Sequence, residues 1–349
     1  MTVRIGGHEI GPDAPCLVVA ELSANHNGDL GRAIATIEAA ARAGAHAIKL
    51  QTYTPDTITL NCNRPDFVVP GTGPWAGRRL WDLYREAHTP WAWHSRLFEV
   101  ARAAGLEVFS TPFDPTAVDL LESLGAPAYK IASFELIDDR LLRRVAATGK
   151  PVVLSTGMAN LEEIGHAVGV LRQAGVAELV ILRCTSSYPA PDSAMHLRTM
   201  PVLAEMTGCP VGLSDHSLGT VAPVVAVSLG ARMIEKHFTL DRGSGGVDSH
   251  FSLEPEEFRA VVESVSRAQA MLGIATFGPG LAEEGSVAFR RSLYLAEDVA
   301  AGELLTERNV RSIRPGHGLA PRFADLVIGR PARRAAQRGT PVSWDLVMP

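Results

Sequence analysis

The chain has 349 residues, 46% of them hydrophobic and 20% charged, and a formal net charge of −5. This is globular composition, which excludes extended disorder, and the mild acidity gives no reason to expect nucleic acid or an anionic membrane as a partner. The start lacks a signal-peptide pattern and no apolar run is long enough to span a bilayer, so a cytoplasmic protein is expected.

Val3 to Ile10, turning at Gly6-Gly7, reads as a short hairpin. Eight short apolar strands follow: Cys16–Glu21, Ala47–Tyr53, Leu106–Phe113, Ala128–Ser133, Pro151–Gly157, Leu179–Thr185, Val211–His216 and Met233–Thr239. Helical stretches that mostly end in glycine separate them. Such alternation indicates a parallel sheet covered by helices, and eight units in about 270 residues is the size of a closed (β/α)8 barrel, a TIM barrel. One insertion breaks the rhythm, Thr54 to His88 after the second strand; a long loop on that face reads as a lid over the site.

The last helix spans Glu254 to Leu272. Residues 1–275 are therefore assigned to the barrel with its hairpin, 276–289 to a linker, and 290–349 to a small domain with short strands at Ser292–Leu295 and Val310–Ile313 and a basic surface.

Barrel strands aim their C-terminal ends at the active site, and residues two apart share a face. On this rule Lys49 and Gln51 point inward together, as do Ser214 and His216, and Glu235 and His237, while Asp215 and Lys236 point away. Only Lys49, Lys130, Lys150 and Lys236 are lysines among 33 basic residues. In a chain that otherwise uses arginine, Lys49 and Lys130 suggest compact ammonium groups with a function, and with Thr111, Ser133, Ser155, Ser186 and Ser214 they form a cavity suited to a small phosphorylated carboxylate.

His216 and His237, on adjacent strands at one depth, form a candidate metal pair. With water, carboxylate and substrate oxygen completing the shell, Mn²⁺ or Mg²⁺ fits better than structural zinc. The four cysteines, Cys16, Cys62, Cys184 and Cys209, lack C-x-x-C spacing, and Cys184 reads as a buried structural thiol. Two rival readings are a Schiff-base aldolase using a buried lysine and a catalytically silent barrel whose small domain binds a glycan.

Seven segments carry a resemblance: Ala20 to Gly28, Ile48-Lys49-Leu50-Gln51-Thr52-Tyr53, Phe109 to Phe113, Tyr129-Lys130-Ile131-Ala132-Ser133, Leu154 to Met158, Gly212 to His216 and Glu235 to Thr239. Together they resemble the sialic acid synthases, and the tail from Arg311 to Gly316, with Gly329-Arg330 and Gly339-Thr340-Pro341, resembles that family's antifreeze-like (SAF) domain. The resemblance implies condensation of phosphoenolpyruvate with an N-acylated amino sugar in the presence of Mn²⁺, with Mg²⁺ or Co²⁺ as alternatives, in a domain-swapped homodimer. It implies further that His216 and His237 hold the metal, and that Lys49, Lys130, Thr111, Ser133, Ser155 and Ser214 receive phosphoenolpyruvate. Glu21 and Gln51 are then acid/base and sugar-side groups, Glu135, Ser186, Tyr188 and Asp248 substrate contacts, and Arg314 an arginine offered to the partner subunit's site.

One departure is Ser186, where N-acetylneuraminate synthases carry Asn. Leu80 to His94 and Gly246 to Leu253 are similar to the pseudaminic acid branch of the family, whose acceptor is 2,4-diacetamido-2,4,6-trideoxy-L-altrose.

Overall fold

The computed structural model describes residues 1–71 and 73–349; Thr72, within the expected lid, lies outside the described residues. The chain divides into two compact units, Met1–Gly273 and Ile274–Pro349. The stretch expected as a linker thus goes with the second unit, and part of it, Leu281–Phe289, is a 3-10 helix, because Pro279-Gly280 can start a turn that Glu283 closes onto the Gly280 N–H.

In the first unit β1 (Val3–Ile5) and β2 (His8–Ile10) pair antiparallel. Then follow β3 (Leu17–Glu21), α1 (Leu30–Arg42), β4 (Ala47–Thr52), α2 (Pro55–Ile58), α3 (Leu80–Ala87), α4 (Trp91–Ala103), β5 (Glu107–Pro112) and α5 (Pro115–Ser123). The chain continues through β6 (Tyr129–Ile131), α6 (Asp139–Ala146), β7 (Val152–Ser155), α7 (Leu161–Gln173), β8 (Leu179–Cys184), α8 (Thr199–Thr207), β9 (Val211–Asp215), α9 (Val221–Ser228), β10 (Met233–His237) and α10 (Pro255–Leu272). Strands β3 to β10 close into a parallel barrel in sequence order, with β10 beside β3. Each expected strand is present, shortened by one or a few residues at one or both ends.

Local sequence starts the helices where the barrel needs them. Asp29, Asp114, Asp138 and Asn160 accept hydrogen bonds from orphan first-turn amides of α1, α5, α6 and α7, and Glu163 completes a capping box with Asn160. At the end of α8 the chain turns through a left-handed residue, Gly208, at φ 65°, a conformation that glycine adopts without a Cβ penalty.

Period-2 alternation divides the strand side chains into two cores. Outward residues such as Val18, Ile48, Val108, Ile131, Leu154, Ile181 and Ile234 pack under the helices. Inward residues Leu17, Val19, Ala47, Phe109, Ala128, Val153, Val180, Leu182 and Met233 fill the barrel floor, which the hairpin seals with Val3, Ile5 and Ile10. Burying the Val, Leu, Ile, Phe and Met side chains among them contributes roughly 1.5–3 kcal/mol each. Inward Gly212 has no room for a Cβ, which would meet the Met233 carbonyl at 2.4 Å.

The second unit carries β11 (Ser292–Leu295) and β12 (Val310–Ile313), paired antiparallel, and α11 (Ala324–Val327). Its core includes Leu293, Leu295, Leu305, Val310, Val342 and Leu346. No helix among the described residues is long and apolar enough to cross a membrane.

Two histidines are built into the wall between α4 and the first strands. His94 shares a hydrogen bond of 2.9 Å with Thr52, and His26 accepts one of 3.0 Å from the Gly28 amide. Both are fully buried, and burial brings each pKa down to about 4. In the unfolded chain they titrate near 6.5, so they favour the fold fully above that pH and less as pH falls toward 4, by roughly 3 kcal/mol each at most. Urea midpoints should therefore drop between pH 7 and 4.5, and a His26→Gln/His94→Gln variant should show a flatter decline over that window.

Candidate active site

The C-terminal ends of the strands bring four charges to one layer above the apolar floor. Register sets His237 level with Glu21 and Glu21 level with Lys49 on neighbouring strands. Lys49 Nζ lies 2.6 Å from Glu21 Oε2 and 3.6 Å from Glu235 Oε1, and Lys130 Nζ lies 3.7 Å from that same Glu235 oxygen. All four side chains are buried. Two of each sign, packed this closely, offset the desolvation that would neutralise any one alone.

The environment tunes each group. Burial pulls Lys49 down, but Glu21 and Glu235 outweigh it and hold the ammonium charged, above its ordinary pKa. Lys130 goes the other way, since burial exceeds the pull of Glu235. Burial raises Glu21, whereas for Glu235 the two lysines overcome burial and lower it.

Around the charges sit hydroxyls. Thr111 accepts from Lys49 at 3.1 Å and Ser214 donates to Glu235 at 3.1 Å. Ser133 accepts from the Gly157 amide at 3.0 Å, and the Ser155 hydroxyl is buried with no partner. Ser186 lies beside them, half-buried, 3.9 Å from the Cys184 sulfur. Toward the mouth, Gln51 donates to Glu21 at 3.0 Å and to Ser23 at 3.2 Å, and Ser23 donates to Asp248. Burial raises Asp248, and it lifts Glu135, on the loop after β6, to about 7; one Glu135 oxygen is buried without a partner.

The opposite wall holds the histidines. Their ring centroids are 5.3 Å apart. His216 Nδ1 bonds to the Thr185 carbonyl at 3.0 Å; burial lowers the ring's pKa, but Cys184, that carbonyl and Glu235 outweigh it and raise it, so Nε2 carries a lone pair in the neutral ring alone. Burial, then the nearby positive groups, hold the His237 pKa far below its ordinary value, and its Nδ1 is buried with no partner. Among the described residues no three His, Cys, Asp or Glu converge as a metal-binding group, so the protein offers two ring nitrogens and leaves further positions to water or substrate.

The strand-end residues expected at the site, from Glu21 to His237, converge on this mouth, and Tyr188 and Asp248 join them from loops. Arg314 stands exposed just after β12 in the second unit. Asp215 and Lys236 turn to the helix side and pair at 2.6 Å. Cys184 points inward, its sulfur 4.0 Å from His216 Nδ1; burial raises the thiol, but His216, Ser133 and Lys130 bring it down to about 7. Strand parity with Leu182 could have placed it inside the barrel. Glu235 shares the inward parity of His237, yet only the fold shows it bridging both lysines. Trp75 lay within the expected lid and Phe251 within the stretch similar to the pseudaminic acid branch, but neither was singled out as a site residue, because only loop packing brings their rings together.

The model of the NeuB family matches residues 36–276, and that of the SAF domain matches 290–348. The chain belongs to the NeuB family. Among its NeuB relatives, a protein of Campylobacter jejuni named pseudaminic acid synthase is 44% identical over 94% of this chain and 95% of its own. One of the same name from Helicobacter pylori is 41% identical over 95% of this chain and 97% of its own. Among solved structures, the N-acetylneuraminic acid synthetase of Leptospira borgpetersenii superposes with a TM-score of 0.73 at 31% identity, covering 82% of this chain and 95% of that one.

The charge layer is testable as a unit. Lys49→Met leaves Glu21 unpaired in the NeuB barrel and should destabilise by about 3–5 kcal/mol in urea unfolding. Adding Glu21→Gln should recover part of that loss, giving a coupling above about 1 kcal/mol in the double-mutant cycle.

Proposed function

We propose that this enzyme condenses phosphoenolpyruvate with 2,4-diacetamido-2,4,6-trideoxy-L-altrose and water to give pseudaminic acid and phosphate. One observation carries the reading: two buried lysines ringed by hydroxyls line one half of a mouth whose other half holds two adjacent imidazoles, one of them neutral with a buried, unpartnered nitrogen. The first half suits a phosphorylated carboxylate and the second a carbonyl oxygen. Identities of 41 to 44% to proteins named pseudaminic acid synthase support this acceptor over N-acetylmannosamine or a diacetamido-trideoxy-mannose. With this activity a catalytically silent, glycan-binding barrel is set aside.

Phosphoenolpyruvate lies against Lys49 and Lys130, which offset its charge, while Thr111, Ser133, Ser155, Ser186 and Ser214 donate to its oxygens. Its C3 attacks the aldehyde carbon of the open-chain sugar, forming the carbon–carbon bond, and positive charge develops at C2. Water adds at C2, and a carboxylate takes its proton. Glu21 is the candidate, and Glu135, poised near neutrality, is suited to return a proton to the aldehyde oxygen. The bond between C2 and the phosphate oxygen then breaks and phosphate departs.

His216 and His237 would hold a divalent cation, Mn²⁺ with Mg²⁺ or Co²⁺ as alternatives, and when bound it supplies Lewis-acid polarisation of the sugar carbonyl. The donors fit: His237 is neutral with a buried, unpartnered nitrogen, and His216 is oriented through its other nitrogen by a backbone carbonyl. We further infer that the enzyme works in the cytoplasm as a homodimer in which Arg314 of each copy completes the partner's site. Support comes from Ile274, Phe277 and Leu281, large apolar side chains left exposed at the start of the second unit, which a second copy would cover.

His216→Ala and His237→Ala should each abolish calorimetric Mn²⁺ binding and lower phosphate release at least roughly 100-fold without loss of the fold. Full activity of the parent enzyme in chelator would refute the metal role. For the dimer, mixing Arg314→Ala subunits with Lys49→Met subunits should restore part of the activity that neither homodimer shows; no recovery would argue against an arginine acting across subunits.

A further inference from the structure

We infer that Trp75 sets the acceptor preference of this site, completing an apolar wall that receives the methyl terminus of a deoxygenated sugar and disfavours its hydroxymethyl counterpart. The inference rests on the proposed condensation and names a determinant of its sugar specificity.

Trp75 comes from the insertion after β4, yet it packs over the barrel mouth. Its ring centroid lies 5.6 Å from that of Tyr188, 5.9 Å from His250 and 6.3 Å from Phe251. Tyr188 in turn lies 4.4 Å from His216, and Phe251 lies 4.6 Å from His237. A continuous row of rings therefore runs from the insertion to the two imidazoles expected to receive the sugar carbonyl. One end of an extended sugar is held there, so its far end falls along the rings.

The wall is apolar for a second reason: its main-chain acceptors are already used. The Trp75 indole N–H donates to the Val247 carbonyl at 2.9 Å, Asn27 to Gly245 at 2.7 Å, Ser249 to Gly246 at 3.1 Å and Ser252 to Asp248 at 2.7 Å. The Asp248 carboxylate is engaged by Ser23, which is bonded to Gln51 on the Glu21 side of the mouth. A sugar hydroxyl pressed against the rings gives up water and meets carbonyls at residues 245–248 that already each accept a hydrogen bond, whereas a methyl group loses nothing. Apolar pockets reject an added hydroxyl by up to about 100-fold and rarely more, which sets the scale of the effect.

The test compares two acceptors that differ only at C6: 2,4-diacetamido-2,4,6-trideoxy-L-altrose and the same sugar bearing a 6-hydroxyl. With the full-length chain, phosphoenolpyruvate and Mn²⁺, the parent enzyme should favour the 6-deoxy sugar by about 10- to 100-fold in kcat/KM. Trp75→Ala should bring that ratio to within about threefold of unity by raising the acceptor KM, with the KM for phosphoenolpyruvate unchanged, and Trp75→Phe should retain most of the preference. Trp75→Leu takes the place of the alanine variant should thermal unfolding show the latter to be unstable. An equal loss for both sugars would mean that Trp75 only ties the insertion to Val247, and an unchanged ratio would mean that it does not read C6; either overturns the inference. Calorimetric titration with each sugar separates it from the reaction itself. If no phosphate is released but Trp75→Ala still abolishes tighter binding of the 6-deoxy sugar, the condensation falls and the wall stands; if the parent chain binds neither sugar, both fall.

Discussion

The site depends on keeping four charges in the dry interior of a closed barrel. Glu21, Lys49, Lys130 and Glu235 come from β3, β4, β6 and β10, and none could remain ionised there by itself. Closure brings β10 against β3, so Glu235 reaches both lysines and Glu21 lies level with Lys49 and His237. The same closure explains why His237 stays neutral: it is buried and shares its layer with cations. A neutral imidazole and a charged ammonium in one dry layer are thus two results of one electrostatic arrangement.

Above that layer the mouth divides by chemistry. On the lysine side, hydroxyls from β5, β7, β9 and the loops after β6 and β8 form a polar lining, with the Ser155 hydroxyl left unpartnered. On the histidine side, Tyr188, Phe251 and Trp75 form an aromatic lining whose nearby carbonyls are occupied by other protein groups. One lining suits a small anion and the other the uncharged, partly deoxygenated end of a sugar. The apolar floor, sealed by the β1–β2 hairpin, fills the barrel beneath both.

Much of this was legible residue by residue. The scarcity of lysine singled out Lys49 and Lys130, and strand-end histidines singled out His216 and His237. The parity rule also turned Asp215 and Lys236 away correctly; they form an ion pair under the helices. Cys184 was read as a buried thiol and is one; its nearness to His216 joins residues from different strands and shows only in the fold. Trp75 lay in the expected lid without being singled out for a similar reason: nothing within the insertion says which loop it folds against. The 3-10 helix at Leu281–Phe289 was missed because a short turn-rich segment has no periodicity to detect.

By itself the sequence determined which side chains each strand aims inward, since a period of two is a local property of extended backbone and survives any arrangement of the strands around it. It also determined where the helices start, through caps that act within three residues. Tertiary structure alone decided which inward rows meet and at what height, and so the charge bridge through Glu235, the ring spacing of His216 and His237, and the contact of Trp75 with residues more than a hundred positions away. Those distances are set by closure, register and loop packing across the whole barrel, which no short stretch of chain encodes.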